Sequence, residues 1–361
     1  MSFLHKTKDK LKITPLGVAI LKFRRNHKAR SKADAYRAME LFGYDDWSED
    51  EKDLCYRDMV LCSQKYHFDF NEYFQLNLMQ KSDDERQEFV SDSDRVKLCE
   101  DFNNPHNQII FDNKSLTAET FAKYFRRDYV CFENEKDIDD VKSFLEKHSN
   151  FIVKPEAGAS GKGVKILSTQ ADLDKQAREI ISNYSSALFG GGIIEELICQ
   201  DQRMKALHPQ SVNTIRVPTI KLDDRIVIFH PILRIGQGTS VVDNTGAGGI
   251  ICALDPENGT VLAARDRNGH AYFENPNNGE VLVGFQVPEW DRAVKLVKDL
   301  AMVVPDNRYT GWDIALAEDG WILVEANARG QWGSQIAMQR GWRKEIEGYR
   351  KELGLPSIKH S

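Results

Sequence analysis

Asp313, Glu325 and Asn327 sit in the stretch Gly311–Gly333, GWDIALAEDGWILVEANARGQWG, where two runs rich in β-formers flank Glu318-Asp319-Gly320. That composition reads as a β-hairpin. With a three-residue loop ending in a left-handed Gly320, Ala317 pairs with Trp321 and Asp313 falls opposite Glu325. Asn327, two residues on, shares their face. Two carboxylates and an amide oxygen on one patch repel unless a cation sits among them. Oxygen-only ligands suit Mg²⁺, which completes its shell with water and substrate phosphates. A second metal sharing the carboxylates suits phosphoryl transfer. The alternative is an edge hairpin whose acids face solvent. Against it, Trp312, Ile314, Leu316, Ile322 and Val324 leave little polar surface beyond the acidic set. A two-residue loop, by contrast, places Asp313 and Glu325 on opposite faces.

A second group with chemical potential is Pro155-Glu-Ala-Gly158-Ala-Ser160-Gly161-Lys162-Gly163, preceded by Lys154. Backbone N–H groups of a glycine-rich loop cradle phosphates, and lysines beside it add charge. The spacing is neither G-x-x-x-x-G-K-[ST] nor G-x-G-x-x-G, and both of those open a helix. Here the loop joins two strands, the arrangement of a flap that closes over phosphates. Arg216, His230 and Arg234 follow on two alternating runs, Ser211–Ile220 and Arg225–Ile235, which read as a hairpin. Solvated side chains or contacts to a polyanion both account for them.

The elements that must position these residues begin with a helical front. Lys32–Leu41, Glu49–Tyr66 and Asp84–Asp101 have helical spacing, and the aromatic stripe Phe68–Leu78 reads as a helix contact. From Asn103 strands and helices alternate. Helices are expected at Thr117–Arg127 (capped by Thr117), Ile138–His148 (capped by Asp137), Ala171–Tyr184, Pro288–Val304 and Gln335–Leu353. Strands are expected at Tyr129–Phe132, Phe151–Lys154 and Val164–Leu167, and the acidic-apolar run Ile193–Ile198 follows the glycines Gly190–Gly192. Gly236–Gly249 reads as a mobile loop.

Composition fits a soluble globular chain: 361 residues, 41% hydrophobic and 29% charged. No apolar run approaches the ~20 residues of a membrane span. The six cysteines are scattered without zinc spacing, as expected of core hydrophobes in a reducing cytosol. Net charge is −6, yet the first 37 residues are strongly basic with interleaved Leu, Ile and Phe. Such a segment suits an anionic lipid surface, a nucleic acid or a charged partner, or is a solvated helical face.

Taken in order, these pieces resemble the ATP-grasp superfamily: Lys154-Pro155, the flap GASGKGV, the segment IIEELI, the Arg216 strand, then Asp313 and E-x-N. Within it the chain is most similar to the sugar-transfer-associated proteins of bacterial exopolysaccharide systems, through SVNTIRVPT, VDNTGAGGI and GWDIALAEDGWILVEANAR. FNEYF and DNKSLTAETFAKYFRRD extend the resemblance over nearly the whole chain. The resemblance implies an α+β fold, with two α+β subdomains clasping ATP behind a helical N-terminal region. The parts would be a helical region 1–102, an N-terminal ATP-grasp part with the flap, 103–193, and a C-terminal part with the metal site, 194–361.

The resemblance also implies roles. Lys154 touches the ATP phosphates under the flap residues Gly158, Ser160, Gly161, Lys162 and Gly163. Glu195, Glu196, Leu197 and Ile198 form the hinge that reads adenine. Asp313, Glu325 and Asn327 hold two Mg²⁺, with Mn²⁺ able to substitute, and Arg216 neutralises the transferring phosphoryl group. Arg329 joins Lys154 and Arg216 as a catalytic candidate. It lies in Ala328-Arg329-Gly330-Gln331-Trp332, where many superfamily members have a proline-glycine turn.

The expected activity is ATP-dependent carboxylate–amine ligation through an acyl phosphate, on an amino acid or sugar of a bacterial surface polysaccharide, free or lipid-linked. The alternatives are a kinase acting on a sugar hydroxyl, with His230 or Asp243 as base, and a nucleotide-binding scaffold without turnover. A cytoplasmic protein touching the inner membrane through its basic N-terminus, with no nucleic-acid partner, completes the expectation.

Overall fold

The computed structural model describes residues 31–156, 162–186, 189–238 and 248–357. The chain divides into two compact units, Met1–Val60 and Leu61–Ser361. In the first, the helix Lys32–Leu41 starts at a capping box in which Ser31 and Asp34 satisfy each other's backbone N–H groups. Tyr36 bonds Asp53 on the next helix at 2.9 Å. That helix, Glu49–Tyr66, has the bounds its spacing predicts.

In the second unit the expected helix Asp84–Asp101 is two, Asp83–Glu88 and Asp92–Phe102. Ser82 and Ser91 each cap a new start, and the extended backbone at Phe89 separates them. Thr117 is no cap either. Asn113 caps the helix Lys114–Thr120, and the Thr117 hydroxyl bonds back to the Ile110 and Asn113 carbonyls. The expected closing helix also breaks, into Ser334–Met338 and Arg343–Glu352. Between them Gly341 lies so close to the Glu88 backbone that a Cβ would sit 2.0 Å from it.

Two antiparallel sheets carry the candidate residues. The smaller holds β1 (Tyr129–Phe132), β2 (Asn150–Pro155), β3 (Lys165–Ser168) and β4 (Gly192–Glu196), in the order β1-β4-β2-β3. The helices Ile138–Lys147 and Leu173–Tyr184 cover one face, packing Val141, Phe144 and Ile181 on Phe151, Val153 and Ile194. The larger sheet holds β5 (Ile215–Lys221), β6 (Ile226–Ile228), β7 (Ile232–Ile235), β8 (Ile250–Leu254), β9 (Val261–Arg265), β10 (Tyr309–Ala317) and β11 (Gly320–Asn327). Its order is β11-β10-β5-β7-β8-β9, with β6 pairing the far end of β5. The amphipathic helix Trp290–Ala301 buries Ala293, Val297 and Leu300 against Val217, Leu233, Trp312 and Ile314. The architecture is α+β.

The hairpin differs from the expected one in an instructive way. Its loop has two residues, since Ala317 pairs with Gly320 and Leu316 with Trp321. Left alone, that loop would put Asp313 opposite Val324. A β-bulge intervenes: Ile314 pairs with Leu323, yet Asp313 pairs with Glu325. One extra residue on β11 shifts the register by one and returns Glu325 to the face of Asp313.

Candidate active site

Asp313, 1% exposed, sits mid-sheet with Arg216 of β5 as its cross-strand neighbour. Arg216 forks onto it, Nε bonding Oδ1 and Nη2 bonding Oδ2 at 2.8 Å. Arg234 of β7 brings Nη2 to 2.9 Å from the same Oδ2 and also bonds Thr214 Oγ1. Burial opposes a charge on Asp313, but the two guanidiniums outweigh it and hold the carboxyl below the usual carboxylate range. Arg216 is the mirror case: burial works against its charge, and Asp313 and Glu325 more than offset that.

Glu325 and Asn327 are different. Among the described residues the half-buried Glu325 carboxylate makes no hydrogen bond or ion pair, and the Asn327 carboxamide nitrogen is buried without an acceptor. Which end of an amide is oxygen is assigned from its surroundings, so an amide nitrogen with no acceptor is equally an oxygen site awaiting a partner. A free carboxylate and an orphaned amide on one strand fit a hard divalent cation. Asp313 is not open in the same way, because both its oxygens already face guanidiniums.

On the smaller sheet Lys154, at the end of β2, places Nζ 2.7 Å from Glu195 Oε1. Arg127 takes the other oxygen with Nε at 2.8 Å and Nη2 at 2.6 Å. Its third nitrogen, Nη1, donates to the Leu323 carbonyl of β11 at 2.6 Å, so one side chain ties the two sheets together. Burial pushes the Lys154 ammonium pKa down, and the charges of Glu195 and Glu325 oppose this only in part. Burial also disfavours ionised Glu195, yet Arg127 and Lys154 prevail and its carboxyl stays below the usual range. Glu195 therefore faces two cations. The β4 ladder ends at Glu196, and Leu197 and Ile198 run between the sheets without a place in either.

Of the flap, Gly158, Ser160 and Gly161 lie outside the described residues. Lys162 is exposed, and Gly163 has φ +80° with its carbonyl accepting the Tyr184 hydroxyl at 2.6 Å. Arg329 does not join the cluster. Its Nε lies 3.1 Å from Glu100 and its Nη1 3.9 Å from Asp112. His230 is not in a strand: the chain breaks there between β6 and β7 with φ +46°. Its ring stacks on Trp342 at 3.6 Å and its Nε2 meets Glu345 at 2.7 Å. Asp243 and most of the expected loop 236–249 lie outside the described residues.

Two antiparallel sheets, one carrying Lys154 and the other Asp313, Glu325 and Asn327, accord with the ATP-grasp class to which the family match assigns the chain. Within it, the chain belongs to the sugar-transfer associated ATP-grasp family, whose pattern matches residues 93–351. ATP-grasp proteins bind ATP, typically with Mg²⁺. Among solved structures the chain is similar to D-alanyl-alanine synthetase A from Vibrio cholerae (13% identity, TM-score 0.42, 70% of this chain and 65% of that one). It is also similar to N5-carboxyaminoimidazole synthetase from Staphylococcus aureus (12%, 0.41, 68% and 53%). A third is D-alanine-D-alanine ligase from Helicobacter pylori (17%, 0.41, 74% and 70%). The chain thus spans less than two thirds of the first two. No curated protein matches it.

Proposed function

We propose that the protein is an ATP-dependent carboxylate–amine ligase acting on an amino acid or a sugar component of a bacterial surface polysaccharide. The observation that carries this reading is a site rich in fixed cations from which, among the described residues, the histidine candidate for a base is turned away. Lys154, Arg216 and Arg234 are held in place by buried carboxylates, while the histidine best suited to deprotonate an alcohol is committed to Glu345 and Trp342. A carboxylate nucleophile needs no base, only orientation and charge neutralisation. An alcohol acceptor needs a base within reach, which disfavours the kinase alternative.

In this reading the substrate carboxylate attacks the γ-phosphorus, the bond to the β–γ bridging oxygen breaks, and ADP leaves an acyl phosphate behind. The amine then attacks the acyl carbon and expels phosphate. Lys154 and the flap orient the ATP phosphates, and the backbone at Leu197 and Ile198 reads the base. Arg216 and Arg234 turn part of their charge from Asp313 to the transferring group. Glu325 and Asn327, with Asp313 once a guanidinium has turned, would hold Mg²⁺, which supplies neutralisation of phosphate charge.

Incubation with ATP, Mg²⁺ and pooled amino acids and sugars, with ADP and free phosphate assayed separately, tests the reaction class. A ligase gives acceptor-dependent ADP and phosphate in equal amounts. ADP without phosphate supports the kinase instead.

A further inference from the structure

The face of the larger sheet that carries Arg216 and Arg234 floors a cavity of about 380 Å³. The register puts Arg216 beside Ile232, and Arg234 in line with Ile251 and then Arg265, all on one face. Ile232 and Ile251 form an apolar floor, and the helices Phe70–Gln75 and Asp92–Phe102 supply a polar wall. The volume is that of a small-molecule site, ~300–1,000 Å³.

The ionic groups of the wall are already engaged. Asp69 Oδ1 caps the helix Phe70–Gln75, and Glu72 accepts from the backbone N–H groups of Asp69 and Asp92. Asp92 pairs with Arg95 at 2.7 Å, and Arg216 and Arg234 rest on Asp313. Arg267 stands apart. Among the described residues it is the one charged group lining the cavity with no hydrogen bond or ion pair.

Its backbone is nonetheless fixed. Asp266 Oδ1 accepts from the N–H groups of Asn268 and His270 at 2.8 and 3.0 Å, and Oδ2 accepts the Tyr272 hydroxyl at 3.1 Å. A half-buried guanidinium on a pinned turn, lining a half-open cleft, is preorganised to receive an anion at small ordering cost. Two strand steps separate Arg265, two residues earlier, from Arg234, about 10 Å of sheet at about 4.8 Å per step. Arg267 therefore marks the end of the cavity remote from Asp313.

We infer that this cavity holds the acceptor substrate, and that the substrate carries an anionic group, a carboxylate or a phosphate monoester, which Arg267 grips at the end away from the reacting atoms. The inference rests on the ligase reading only for which end reacts. A dicarboxylic amino acid or a phosphorylated sugar acid has this group together with a carboxylate left to react; a neutral sugar has neither, and the simple sugar acid and sugar phosphate used below probe the anion grip alone.

Binding of D-glucuronate, D-glucose 6-phosphate and neutral D-glucose to the full chain, measured by calorimetry with and without a non-hydrolysable ATP analogue and Mg²⁺, tests this. The wild type should bind one or both anionic probes at least about tenfold more tightly than glucose, a factor worth about 1.4 kcal/mol. Which anion wins distinguishes carboxylate from phosphate. Arg267→Gln should erase the preference, Arg267→Lys should restore part of it, and both variants should keep the wild-type Tm and nucleotide affinity. Absence of any anion preference in the wild type, or its survival in Arg267→Gln, overturns the inference. Absence of nucleotide binding by the wild type with the preference intact would instead sink the ATP-dependent ligase reading.

Discussion

A carboxylate gripped by two guanidiniums and a carboxylate with no partner do different work, and β10 and β11 place one of each side by side. Asp313 fixes Arg216 and Arg234; Glu325 is open to the cation we propose there. Because Glu325 makes no hydrogen bond or ion pair among the described residues and acts on Arg216 and Lys154 only through its charge, Glu325→Gln should keep the fold with only a small change in Tm. Turnover should nevertheless fall at least about a hundredfold, the scale of losing a preorganised charge interaction in a transition state. Normal turnover in that variant would remove Glu325 from the metal site. Residue types and order singled out Lys154, Arg216, Asp313, Glu325 and Asn327, and the structure sets Arg216 on Asp313 with Glu325 paired beside it. Arg127 was not legible in the sequence, because a single arginine after a short helix carries no local sign that it will span two sheets. Arg329 misled for a related reason. Proximity in sequence to Asn327 does not fix direction, and the chain turns its guanidinium to Glu100 and Asp112.

The elements of the smaller sheet set where Lys154 points. Gly192 on the central strand β4 lies between Phe132 of β1 and Pro155 of β2. A Cβ there would meet Phe132 Cζ at 2.7 Å and the Lys154 carbonyl oxygen at 2.8 Å. Gly192→Ala should therefore cost about 1–3 kcal/mol by overpacking and weaken ATP binding by displacing Lys154. A lowered Tm with unchanged ATP affinity would separate Lys154 from the nucleotide. Local pattern gave most elements but not their interruptions. The breaks at Phe89 and Gly341 depend on caps and on a tertiary contact with Glu88 that periodicity does not register. The hairpin shows the same limit. Both loop length and bulge were missed, and their two one-residue shifts cancel, so Asp313 still meets Glu325.

At the scale of the whole molecule, Arg127 and the stretch after β4 join the two sheets, each of which carries part of the site we propose for phosphoryl transfer. No helix among the described residues is long and apolar enough to cross a membrane. The basic segment Lys6–Arg37, described only from Ser31 onward, is the feature through which we propose contact with an anionic inner leaflet. Each cation near such a surface is worth about 1 kcal/mol. Vesicle co-sedimentation should show binding that rises with anionic lipid and falls with salt; none at low salt would remove that contact.

The central claim is that the transferred phosphoryl group lands on a carboxylate. Hydroxylamine added during turnover with ATP, Mg²⁺ and the acceptor pool traps an acyl phosphate as its hydroxamate. The account predicts hydroxamate that forms in step with ADP and disappears in Glu325→Gln. Steady ADP formation with no hydroxamate and a phosphorylated hydroxyl in the product would contradict it.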